Sequence, residues 1–88
     1  MVTAVSGTAT ARADIDTDFA AQLHTYGIYG PRDYNAWLAK ITCKRLGTGL
    51  DRTAIDSAKF LSANLADGTT TQQVWLFLSA ALGTYCSD

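Results

Sequence analysis

The stretch from Asp33 to Gly47, DYNAWLAKITCKRLG, decides how the chain is read. Tyr34, Trp37, Leu38 and Ile41 recur at steps of three and four, the spacing of one helix face. Ala36, Ala39, Cys43 and Leu46 form a second stripe on a different side. An element that is apolar on two sides belongs in the middle of a bundle. Asp33 is placed to cap its start, and Lys44 and Arg45 suit the negative end of its dipole. Gly47 and Gly49 stop it.

Upstream, Ile15, Phe19, Leu23 and Tyr26 repeat along one helical face. Asp14, Asp16 and Asp18 stand at its positive end, and Gly27 with Gly30-Pro31 closes it. Downstream, a third helix is expected to begin near Asp51. Its stripe is Ala54, Ala58, Leu61 and Leu65, with Ile55 beside them, and Asp67-Gly68 ends it. The fourth starts in the Thr69-Thr70-Thr71 cluster. Val74, Leu78, Ala81, Leu82 and Tyr85 mark its buried face, which Trp75, Leu76 and Phe77 widen almost all round. No segment alternates as a strand would. Short connections favour antiparallel neighbours, so the expected fold is all-α, a compact four-helix bundle-like domain over residues 14–88.

Met1 to Ala13, MVTAVSGTATARA, carries no stripe that could pack and is excluded from that domain. Ala11-Arg12-Ala13 has the small residues a signal peptidase accepts, so the segment reads as the tail end of a signal peptide. The bland alternative is a disordered tail with a chance motif.

With 88 residues there is room for one domain, and 48% apolar against 17% charged residues is a globular composition. A net charge of -1 argues against a nucleic-acid partner, and with it against a helix-turn-helix DNA binder. The longest apolar run, Val74 to Leu78, is far short of a transmembrane segment. One His and two Cys do not make a standard zinc site, so no metal or other cofactor is expected.

Such a small chain buries only about 60–65% of its surface on folding, which leaves it near the margin of stability. Cys43, late in helix two, and Cys86, at the end of helix four, are candidates for a staple. Two buried reduced thiols are the alternative. Paired, they would clamp the last helix to the central one, and their spacing is nothing like a redox C-x-x-C motif.

Asp18-Phe19 through Leu23 and Gly27, the Cys43-x-x-Leu46-x-x-Gly49 segment and the closing Tyr85-Cys86 together resemble domain-of-unknown-function family 732. Those are small secreted or envelope-associated proteins, largely of mycobacteria. The resemblance covers roughly Ile15 to Asp88. It implies a signal peptide, an all-helical fold and two cysteines placed as Cys43 and Cys86 are, and it implies no reaction. Between Gly47 and Thr71 the third helix reads as longer and more polar than the family pattern, and Trp37, Trp75 and Phe77 are additional bulky aromatics.

Few residues carry chemistry. His24, the sole imidazole, lies at the edge of helix one near Tyr26 and Tyr29. His and Tyr both ligate haem iron, but a boundary histidine is the simpler reading. Tyr26, Tyr29, Tyr34 and Trp37 bunch around the first interhelix turn, where they line a groove or wall a small core. Trp75 and Phe77 lie beside the inward stripe of helix four, so one of them is expected to face outward as a contact patch. Lys40, Lys44, Arg45 and Arg52 form a modest basic cluster that dipole effects explain. The serines have no matched base except His24, and capping accounts for most of the aspartates, so no catalytic residue is assigned. The function expected is that of a secreted or envelope-associated, non-enzymatic module that presents an aromatic surface to a protein or envelope partner. A carrier of a small hydrophobic ligand, haem or lipid, is the alternative.

Overall fold

The computed structural model describes residues 15–86. The signal-peptide reading of Met1–Ala13 lies outside the described residues. Four helices and, among the described residues, no strand make up the fold: α1 (15–25), α2 (Arg32–Gly47), α3 (Ala54–Asn64) and α4 (Thr71–Tyr85).

The end of α1 is closed by its sequence. Ile28 donates its N–H to the Leu23 carbonyl at 3.0 Å, and Gly27 donates to that of His24 at 3.0 Å. This pair of bonds needs a left-handed residue, which Gly27 supplies with φ 78°. Ile28 and Leu23 are both buried, the apolar contact that accompanies this cap. A side chain is also excluded there for space, since a Cβ at residue 27 would stand 3.1 Å from Gln73 Nε2.

α2 starts at Arg32, one residue before the expected cap. Pro31 holds the N-cap position without a side-chain bond, and Asp33 sits in the first turn, where Arg32 binds it at 3.0 Å. α3 starts three residues later than expected. Asp51 does not cap it; Thr53 does, accepting from the N–H of Asp56, while the Asp56 carboxylate accepts from the N–H of Arg52 at 3.0 Å. α4 begins in a reciprocal capping box: Thr70 Oγ1 accepts from the N–H of Gln73, and Gln73 Oε1 accepts from the N–H of Thr70.

α1 runs antiparallel to α4. Its start meets the α4 end through Asp16 and Tyr85, and its end meets the α4 start through Tyr26 and Gln73. α3 is antiparallel to α2, with Asn64 against Tyr34 and Ser57 near Arg45 through Asp51. The chain therefore passes up and down. One end of the bundle gathers the start of α1, the α2–α3 connection and the end of α4. The other gathers the α1–α2 turn and the α3–α4 loop.

Phe19, Leu23, Leu38, Leu61, Phe77 and Ala81 are the centre of the core. Phe19 meets the rings of Phe77 and Tyr85 edge-on, with centroids 5.4 and 5.1 Å apart. The inward face of α4 is turned further toward Phe77 and Ala80 than the sequence stripe implied. Leu82, expected inside, is exposed for that reason; Ile15, at the α1 start, is exposed as well.

Cys43 and Cys86 form a disulfide across a Cα–Cα distance of 5.2 Å, joining α2 to the C-cap of α4. The ring it closes spans 43 residues, for which loop entropy gives about 4 kcal/mol of stabilisation. Two further polar clusters lie at the same end. Tyr85 donates its hydroxyl to Asp16 at 2.6 Å, and Lys40 Nζ stands 3.7 Å from that carboxylate and 5.5 Å over the Tyr85 ring. Arg45 grips Asp51 with Nε and Nη2, the shortest contact being 2.9 Å, and lies over the Phe60 ring. Ser57 donates to the second oxygen of Asp51.

Candidate functional site

Where the α1–α2 turn faces the α3–α4 loop, the surface sinks into a groove of 490 Å³. One wall is the turn from Gly27 to Pro31, continued by Tyr34 and Asn35 on the first turns of α2. The opposite wall is the loop from Asn64 to Thr69, with Gln73 at the α4 start.

Three local bonds set this shape. Gln73, already the reciprocal partner of Thr70, sends its Nε2 to the carbonyl of Tyr26 at 3.0 Å, so one side chain starts α4 and pins the turn to it. Tyr34 donates its hydroxyl to the carbonyl of Asn64 at 2.8 Å, which ties α2 to the end of α3. Asn64 Nδ2 donates back to Phe60 at 2.8 Å and finishes that helix. These groups are fixed by internal bonds.

The rest of the lining differs in exposure. Asn35 is only 4% exposed, and among the described residues no buried side-chain nitrogen or oxygen lacks a hydrogen-bond partner. Its Nδ2 lies under Gly30, 3.7 Å from where a Cβ would stand. Tyr29 is 67% exposed, and its ring leans against His24 with centroids 5.0 Å apart. Trp37, 54% exposed, does not line the groove but adjoins it through Tyr34, their rings 5.9 Å apart. Asp67 is the one charged residue in the lining.

The sequence candidates thus fall in separate places. Tyr29 is on the groove wall, Trp37 is beside it, and His24 backs Tyr29 at the surface. Tyr26 is half-buried against the core, its hydroxyl accepting from Gln22. Trp75 is 40% exposed on a different cleft, of 220 Å³, which it shares with Ile55, Ala58 and Lys59 of α3. Phe77, put forward as a surface residue, is instead fully buried: it is on the side of α4 that faces Phe19, and Trp75 alone of the two reaches solvent. The basic cluster divides, with Lys40 on Asp16 and Arg45 on Asp51.

Two pKa shifts accompany the opposite end. The Arg45 hydrogen bonds hold the Asp51 carboxyl below its ordinary value; burial opposes them, and the Ser57 hydroxyl assists. Burial pushes the Tyr85 phenol well above its ordinary value, and the Asp16 carboxylate it binds adds to that. Among the described residues no cluster of His, Cys and Asp is arranged to hold a metal ion.

Sequence reasoning missed Asn35, Asp67 and the pinning role of Gln73. Thr70-x-x-Gln73 was a readable signal for the capping box. An asparagine set between the two apolar stripes of α2 was the signal for Asn35. The facing loop had none, since only the fold brings residues 64–69 opposite 27–31.

Two uncharacterized proteins of Mycobacterium tuberculosis, from strains CDC 1551 and H37Rv, are each 53% identical to the chain over 88 residues, which is 99% of this chain and 79% of theirs. No solved structure matches it. The family described as "Protein of unknown function (DUF732)" matches residues 15–88, and the chain belongs to that family.

Proposed function

We propose that this protein is a non-enzymatic binding module that works outside the cytoplasm and offers its aromatic-edged groove to a protein or cell-envelope partner. The observation that carries the reading is the exposure of Tyr29, Tyr34 and Trp37 around one groove while Phe19, Phe77 and Leu38 are fully packed. Large rings left in water beside a concavity are a recurrent mark of binding surfaces. A disulfide between Cys43 and Cys86 suits an oxidising compartment. His24, the sole imidazole, rests on Tyr29 and has no serine partner among the described residues, which favours binding over catalysis. The carboxylate of Asp67 in the lining favours a partly polar ligand over haem or an acyl chain.

The test is a titration of the ¹⁵N-labelled, oxidised protein with fractionated envelope extract. Saturable shifts confined to residues 27–37 and 64–69, lost in Tyr29→Ala, are the expected result. Shifts scattered over all faces, or none with any fraction, would refute the reading.

A further inference from the structure

Around the start of α3 the fold leaves both apolar and cationic side chains unused. Leu50 and Ile55, at 66% and 58%, are the two most exposed large aliphatic side chains among the described residues. Arg52 and Lys59 stand beside them, exposed and, among the described residues, in no ion pair. Leu50, Arg52 and Lys59 line one open concavity of 540 Å³. Lys59 and Ile55 line the next, of 220 Å³, with Trp75 of α4 across from them. Lys59 belongs to both, so the five side chains make one continuous surface.

The carboxylates nearby are already occupied. Asp51 is held by Arg45 and Ser57, and Asp56 accepts the N–H of Arg52. Asp16 and Asp18, at the α1 start, line neither concavity. Charge is therefore divided along the chain. From Lys44 to Lys59 four cations stand against two carboxylates, whereas the other described residues hold four carboxylates against two cations. The net charge of -1 hides this local excess of cations. A field so divided attracts anionic groups and turns this face toward them.

The mixture of side chains selects among anionic partners. A small soluble anion would satisfy Arg52 and Lys59 but leave Leu50 and Ile55 in water. Protein interfaces are depleted in Lys and their hot spots in Leu, whereas here Lys59 joins the two concavities and Leu50 is the most exposed of the aliphatic residues. An anionic bilayer offers both chemistries at one place. Its phosphates lie at the level of the cations, and its acyl chains begin just beneath, within reach of aliphatic tips. Arg and Lys stems lie along apolar surface while their heads stay with the phosphates, and indoles favour the boundary itself.

We infer that this face docks the protein reversibly onto an anionic lipid surface, with Arg52 and Lys59 on the phosphates, Leu50 and Ile55 dipping between headgroups and Trp75 at the boundary. It shares no lining residue with the groove, so it goes beyond the binding-module reading and does not depend on it.

The experiment adds vesicles to the oxidised full chain carrying Trp37→Phe, which leaves Trp75 as the sole indole. The vesicles are phosphatidylcholine alone, or phosphatidylcholine and phosphatidylglycerol in equal parts. Inorganic phosphate and poly-glutamate are the soluble probes. The anionic vesicles are expected to blue-shift Trp75 saturably, to sediment with the protein and to release it as salt rises, while the neutral ones do none of these. Brominated acyl chains should quench Trp75. Each cation at such a surface strengthens binding about fivefold, so Arg52→Gln with Lys59→Gln should weaken it about 25-fold, whereas Arg52→Lys with Lys59→Arg keeps it within about twofold. Leu50→Ser with Ile55→Ser should weaken it several-fold, again with the melting curve unchanged. If the Gln or Ser pair fails to fold, the charge-conserving pair and the quenching of Trp75 decide the matter. Equal binding to neutral vesicles, indifference to salt, unchanged affinity in the Gln pair, or a Trp75 shift with poly-glutamate as large as with anionic vesicles would overturn the proposal. A response to inorganic phosphate with none to vesicles would overturn it too, in favour of a small-anion site.

Discussion

The end of the bundle that holds Cys86 and the end that holds Gly30 are secured in different ways. At the first, Asp16 takes the Tyr85 hydroxyl and the Lys40 ammonium, Asp51 takes Arg45 and Ser57, and Cys43 is bonded to Cys86. At the second, the rings of Tyr29 and Trp37 stand largely in water. A small core cannot secure every helix end by burial alone. This fold concentrates covalent and charged ties at one end, and the other is held by the Gln73 and Tyr34 hydrogen bonds to backbone. The contrast teaches where change is tolerated: substitutions of the tied groups should act on stability, and those at the open end on binding.

The sharpest way to break that contrast is to cut the disulfide. Cys43→Ser with Cys86→Ser, or reduction, should remove about 4 kcal/mol. For a domain of this size that lowers Tm by roughly 15–30 °C, read by circular dichroism. A fall of only a few degrees would mean that the tied end does not depend on its covalent link. Next in size is Arg45→Ala, which strands the Asp51 carboxylate, 2% exposed in its side chain, without its cation. With Arg45 itself 27% exposed, water can reach the vacated place, and the cost is about 2–3 kcal/mol. The same pair sets an acid limit. Because Asp51 has a lower pKa folded than unfolded, its stabilisation is complete above the ordinary carboxylate pKa of about 4 and is lost as pH falls below it. Acid titration of wild type and Arg45→Ala, followed by urea melts at each pH, should show the two curves converging at low pH.

The tied and open ends were unequally legible in the sequence. Helix periodicity gave all the elements, because Phe19, Leu23, Leu38, Leu61, Val74 and Leu78 recur at helical steps and all are buried. The stapling cysteines were also readable, since a marginal core and the placement of Cys43 and Cys86 at helix ends point the same way. Asp51 was misread as a helix cap because a capping aspartate and an ion-paired one look alike until Arg45, six residues earlier, folds back on it. Phe77 was misplaced because α4 is apolar nearly all round, and only the packing against Phe19 fixes its rotation. Of the groove, Tyr29 and Tyr34 were legible within the bunch of aromatics, while Trp37 stands beside the wall and Tyr26 packs against the core. The other wall comes from residues about thirty positions away, at Asn64 from Tyr34, which no local pattern announces.

A smaller effect separates the two clusters within the tied end. Tyr85→Phe keeps the ring against Phe19 and removes only the bond to the partly exposed Asp16, so a loss of about 1–2 kcal/mol is expected. The pH sign is opposite to that of Asp51. A phenol whose pKa is higher folded than unfolded contributes fully below the unfolded value of about 10 and loses its contribution as pH rises above it. Wild type should therefore lose stability in alkali faster than Tyr85→Phe. Parallel alkaline limbs would show that Tyr85 is not the group responsible.

The smallest expected change in stability is at the open end, and it is the one that tests the contrast most directly. Tyr29 has two-thirds of its surface in solvent, its ring leaning on His24, so Tyr29→Ala should move the folding free energy by no more than about 0.5 kcal/mol. Trp37 is more than half exposed, its ring tilted against that of Tyr34, and Trp37→Ala should behave alike. Urea denaturation resolves such differences when the slopes agree. If either variant lost several kcal/mol, its ring would be a structural wall of the bundle, as Phe19 is, and its exposure would no longer favour a binding role. If both leave the midpoint in place, the rings at this end are free of any folding duty, and what they contact in solution becomes the only physical reason for large apolar surfaces beside a groove.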